Sequence, residues 1–127
     1  MINVEDVKNK IIKFLEVGGP TLPVRIAKKI EMSPMFASAI LSELISTRRV
    51  IMSNMRVGAS PLYLLPGQEQ KLEEHTDNLK LVEKEAFLKL QKQKVLKDET
   101  QTPAIRVALR TIKDFAAPFR FNDKILW

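Results

Sequence analysis

The feature that most constrains this chain is a single change of apolar period between Pro23 and Leu65. Ile26, Ala27 and Ile30 recur at helical spacing, as do Ala37, Ile40, Leu41, Leu44 and Ile45 behind Ser33-Pro34. After Arg48-Arg49 the pattern becomes extended, with Val50-Ile51-Met52 and Pro61-Leu62-Tyr63-Leu64-Leu65 as two strands around a turn region from Ser53 to Ser60 that holds Gly58. Helices bury a stripe of period 3.6 and strands one of period 2, so this segment requires two short helices closed by a hairpin. Pro23 suits a first helical turn, and Ser33 an N-cap with Pro34 behind it; that helix should run to about Arg48. Upstream, Val4, Val7, Ile11 and Phe14 predict a helix capped by Asn3, with Asp6 three residues on, and stopped by Gly18-Gly19-Pro20. Thr21-Leu22 is a short extended piece, and Pro66-Gly67 closes the unit.

The stretch PVRIAKKIEMSPMFASAILSELISTRRVIMSNMRVGASPLYLLP resembles the winged helix-turn-helix superfamily, as found in prokaryotic and archaeal transcriptional regulators. Ala27 takes the place of the small residue where the two helices of the motif touch, flanked by Ile26 and Ile30. Met32 is the apolar residue of the turn, Ser33 caps the recognition helix, and Ala37 and Ile40 face the core. Arg48-Arg49-Val50-Ile51 falls where such a helix gives way to the first wing strand. Glu31 departs from the pattern, which often has glycine there. With the first helix, the resemblance covers about half the chain, residues 1–67. It implies a mainly α domain with a small β-hairpin wing.

Residues 68–127 form the second expected region. Gln68 to about Asp98 is rich in Glu, Lys, Leu and Gln without Gly or Pro, and reads as one long helix. Leu79, Val82, Ala86 and Leu90 lie on one side of it, and Leu81, Leu88 and Val95 almost opposite. Two seams on one helix call for a cover on both, either the chain's own C-terminal part or a second copy in a homodimer. Thr102-Pro103 starts a last helix, 103–116, with Ile105, Ala108, Leu109, Ile112 and Ala116 buried. The tail alternates around Asn122-Asp123 as a small hairpin. Residues 79–127 thus also admit a reading as a second, degenerate helix-helix-hairpin unit.

Composition narrows the chemistry. Cysteine is absent and His75 is the single histidine, so neither disulfides, thiolate sites nor a zinc site is expected, and no cofactor. No glycine-rich phosphate loop or GxSxG is present, which argues for binding and against an enzyme. The N-terminal MINVEDVKNKIIKF lacks the form of a secretory signal, and no apolar run of about 18 residues occurs, so a cytoplasmic protein with no membrane partner is expected. The net charge is +6. Residues 1–66 hold 9 basic and 5 acidic groups, an excess of +4 that favours polyanionic partners.

The candidate nucleic-acid contacts are Arg25, Lys28 and Lys29 on the second helix, Ser33, Met35, Ser38 and Ser42 on the third, Arg48 and Arg49 at its end, and Arg56 in the wing. Arg106, Arg110 and Lys113 form a second basic face. The recognition helix offers no Arg, Lys, Asn or Gln, the side chains that read base edges in pairs of hydrogen bonds, so weak sequence readout is expected of a double-stranded DNA-binding, transcription-related regulator. The alternative is a protein-interaction module in a replication, transcription or translation assembly, docking through Met35, Phe36, Met52 and Met55, with Leu81, Leu88 and Val95 as a further contact. The same basic surface also suits structured RNA.

Overall fold

The computed structural model describes residues 3–127. These form two compact units that part between Leu72 and Glu73.

In the first unit, α1 (Val4–Gly18), α2 (Pro23–Ile30) and α3 (Pro34–Ser46) precede the hairpin β1 (Ile51–Val57) and β2 (Ser60–Leu64). Each helix starts and stops for a local reason. Asn3 Oδ1 accepts from the Glu5 amide at 3.0 Å, and Gly19, at φ 73, ends α1 by donating its amide to the Leu15 carbonyl. Pro23 and Pro34 occupy first turns, where the missing N–H is not needed, and Ser33 Oγ accepts from the Phe36 amide at 3.2 Å. Between α2 and α3 the chain reverses through Glu31 at φ 56, a left-handed position. Ile11, Leu15, Ile26, Ala27, Ile40, Leu41 and Leu44 form the core these helices share.

Thr21 joins the hairpin as a third, one-residue strand. It exchanges two backbone hydrogen bonds with Tyr63, at 2.9 and 2.8 Å, which ties the α1–α2 connection to β2. The arrangement of three helices, a short bridging strand and a hairpin is the winged-helix fold.

Two boundaries of this unit differ from the sequence expectation. Helix α3 stops at Ser46 because Arg48 turns left-handed at φ 61, while the Arg49 and Val50 amides return to the Leu44 carbonyl. Strand β1 continues through Ser53–Val57, a stretch expected to be turn. It pairs Met52 with Tyr63 and Arg56 with Pro61, so β1 has two more residues than β2 between those pairs. Ser53 makes this bulge tolerable: its hydroxyl donates to the Met55 carbonyl at 2.7 Å and accepts from the Leu62 amide at 2.9 Å. A polar run therefore remains a strand, with Ser53 and Met55 pointing inward.

The expected single helix over 68–98 does not form. Glu69–Asn78 is a 3₁₀ segment, α4 spans Leu81–Gln93, and Lys94 ends it at φ 69. From Glu69 to Asn78 only Leu72 is buried, so there is no apolar stripe to stabilise an α-helix by packing. Thr76, Asp77 and Asn78 are also weak helix formers. Lys84 bonds Asp77 across the junction.

The second unit repeats the order of the first in shortened form. After α4, Leu96 exchanges backbone hydrogen bonds with Trp127 at 3.1 and 2.9 Å, the counterpart of the Thr21–Tyr63 bridge. A single 3₁₀ turn, Asp98–Thr100, stands in the place of α2. Helix α5 (Pro103–Thr111) then begins as α3 does, with Thr102 capping the Ile105 amide at 3.3 Å and proline in the first turn. It is shorter than the expected 103–116, yet Ile112 and Ala116 remain buried in the following turns. The hairpin β3 (Phe119–Phe121) and β4 (Lys124–Leu126) turns at Asn122 and Asp123, at φ 51 and 62, as a type I′ turn requires. Ala86, Phe87, Leu96, Ile105, Leu109 and Trp127 make its core, with Phe87 edge-on to Phe115 at 5.0 Å.

Candidate nucleic-acid interface

Helix α3 packs Ala37, Ile40, Leu41 and Leu44 inward and leaves Pro34, Met35, Ser38, Ala39 and Ser42 exposed. Phe36 is half-buried against the core, so it offers only part of its ring to a partner. The outward surface is therefore mostly small. It would let a rigid polyanion approach the helix backbone closely, with two hydroxyls at Ser38 and Ser42 for phosphate oxygens. Ser33 is occupied as the helix cap.

Two exposed cations lie on the segments that follow α3. Arg48 follows the C-terminus of α3, exposed and without an ion pair among the described residues. Arg56 lies in the wing, its guanidinium anchored by a 3.0 Å hydrogen bond to the Ala59 carbonyl just past Gly58. That single anchor leaves its other donors outward. Arg49, by contrast, pairs with Glu5 at 3.4 Å, and Lys8 bridges Glu5 and Glu43.

The cations of α2 gather elsewhere. Arg25, Lys28 and Lys29 line an open groove with Phe14 and Val24, and the Lys29 ammonium lies 5.9 Å from the centre of the Phe14 ring. Of the two wing methionines, Met52 is half-exposed, whereas Met55 is buried by the bulge and cannot serve as a docking residue.

In the second unit, Arg106 and Arg110 converge on one carboxylate. Arg110 holds Asp98 with both terminal nitrogens, at 2.7 and 3.1 Å, and Arg106 Nε donates to it at 3.1 Å. The indole N–H of Trp127 donates a fourth hydrogen bond at 3.1 Å, and Arg110 stacks over the Trp127 ring at 5.3 Å. The Arg110 guanidinium holds Asp98 well below the usual carboxylate range despite its burial, aided by Trp127 and Arg106. Arg106 and Arg110 of the expected second phosphate face are thus engaged with Asp98, although both remain exposed, as does Lys113. Asp98, which organises the clamp, was not among the residues expected from the sequence. The clue available was an acidic residue eight and twelve positions before the two arginines.

Leu81 is 84% exposed, and Leu88 and Val95 are each 49% exposed, so the second seam of 68–98 remains uncovered within the unit. Of the opposite seam, Ala86 is buried and Leu79 and Leu90 pack against the core, whereas Val82, expected beside them, is exposed. Among the described residues there is no metal-binding cluster of His, Asp or Glu, and no helix is long and apolar enough to cross a membrane.

The first unit thus has the winged-helix fold, with its helix α3 and hairpin carrying the exposed groups described above. No protein-family model and no curated protein matches the chain. Among solved structures it is similar to the Zalpha domain from Carassius auratus PKZ in complex with Z-DNA. The identity is 27%, covering 49% of this chain and 95% of that one, with a TM-score of 0.45.

Proposed function

We propose that the winged helix binds double-stranded nucleic acid, DNA foremost, through backbone contacts with little sequence readout, and serves a transcription-related regulatory role in the cytoplasm without catalysing a reaction. The observation that carries this reading is the surface of α3: small exposed residues at Ser38, Ala39 and Ser42, with the exposed Arg48 just past the helix and the exposed Arg56 in the wing. Such a face fits phosphates and groove walls, and it lacks the side chains that discriminate bases. Amide chemical-shift mapping with a mixed-sequence duplex tests it. Shifts should concentrate at Ser38, Ser42, Arg48 and Arg56 and vanish in Ser38→Glu with Ser42→Glu. A duplex that leaves these amides unmoved would overturn the reading.

A second reading rests on Met35, which is 84% exposed, with Met52 half-exposed. An adaptable apolar pair favours a protein partner in a replication, transcription or translation assembly. The exposed Leu81 and Leu88 of α4 further support pairing of two copies, which sedimentation of the purified chain would register as a dimer.

A further inference from the structure

We propose that the α1–α2 side of the winged helix is a docking groove for an acidic amphipathic segment of a partner protein. Two adjoining open depressions share Phe14 and Lys29. One is bounded by Lys10, Lys13 and Val17 of α1, and the other by Val24, Arg25 and Lys28 of α2. On α1, Lys10, Lys13, Phe14 and Val17 fall within a sector of about 100°, beside the stripe of Val7, Ile11 and Leu15 that faces the core.

Two properties of this surface select its occupant. The first is unbalanced charge. None of Lys10, Lys13, Arg25, Lys28 or Lys29 forms an ion pair among the described residues, while Lys8 and Arg49 of the same unit do. Glu31 is the single carboxylate lining the groove. The second is exposed aliphatic surface. Val17 is 83% exposed and Val24 62%, on either side of the half-buried Phe14. Phosphate backbones satisfy the cations but gain nothing from valines, which neither stack on bases nor donate hydrogen bonds. A helix with apolar residues at i, i+3 and i+7 and glutamates beside them satisfies both, laying its apolar face on Phe14, Val17 and Val24 and its carboxylates against the five cations.

This surface is separate from α3 and the wing, so its test is independent of the nucleic-acid reading. The isotope-labelled full chain is titrated with a synthetic acidic amphipathic peptide and with a scrambled peptide of identical composition. The amphipathic peptide should shift the amides of Phe14, Val17, Val24 and Lys29. The triple substitution Lys10→Glu, Lys13→Glu, Val17→Asp, all on the exposed face of α1, should weaken it by about tenfold or more. Equal binding of the scrambled peptide, shifts confined to other residues, or stronger perturbation of Phe14 and Val17 by duplex DNA or phosphatidylserine vesicles would overturn the proposal.

Discussion

Replacing Asp98 with asparagine removes the charge on which the second unit closes while keeping its shape. The carboxylate is 4% exposed and receives three hydrogen bonds from Arg110 and Arg106 and one from Trp127. Charged hydrogen bonds contribute about 1.5–3 kcal/mol each in net terms. The guanidiniums are 44–46% exposed and regain water when released, so the sum must be discounted well below that of a fully buried cluster. We expect a loss of about 2–4 kcal/mol, comparable to breaking a partly buried ion pair. Trp127 is the only tryptophan and sits in this unit's core, so its fluorescence reports the unit's own unfolding. With a urea dependence of about 1 kcal/mol per molar, the midpoint of Asp98→Asn should fall by about 2 M or more. The parent carries a matching pH signature. A carboxyl held below its ordinary 3.8 in the fold stabilises fully above that value. Its contribution declines as pH falls from about 4 toward the folded value, and the substituted protein should lack that decline. A midpoint within about 0.3 M of the parent, with the same acid profile, would refute this account.

Glu31→Gly should stabilise the first unit by about 0.5–1 kcal/mol, since glycine accepts φ 56 without the penalty of a side chain; thermal unfolding by circular dichroism measures this. Ser53→Ala should cost about 1–3 kcal/mol, because the buried Leu62 amide loses its acceptor at the bulge, and hydrogen exchange at Leu62 should accelerate. The pair Arg48→Gln and Arg56→Gln should reduce the salt slope of duplex binding by about 1.8, near 0.9 for each phosphate no longer neutralised, without altering stability appreciably.

The first unit was legible because its signals agree across levels. The Asn3 and Ser33 caps, proline in the first turns of α2 and α3, and the change of period after Arg49 all specify the same boundaries. Glu31 shows a motif keeping its backbone while changing its residue: the left-handed turn persists without glycine. In the wing, a tertiary interaction had replaced a local signal. Ser53 supplies hydrogen bonds that convert an apparent turn into a bulged strand, and this buries Met55. The absence of Gly and Pro from 68–98 suggested a continuous helix, although the poor helix formers Thr76-Asp77-Asn78 and the lack of apolar residues around Leu72 marked the break. The basic surface was visible as charge but not as geometry. Only the fold shows Arg106 and Arg110 turned onto Asp98, and Arg25, Lys28 and Lys29 gathered around Phe14.

The central claim is that the winged helix grips a nucleic-acid backbone, and fluorescence anisotropy against a random duplex from about 50 to 200 mM salt tests it most directly. Two to four phosphate contacts should give a slope of log K against log salt of about −2 to −3.5, with similar affinity for unrelated sequences. Absence of duplex binding at the lowest salt, or binding indifferent to salt, would contradict it.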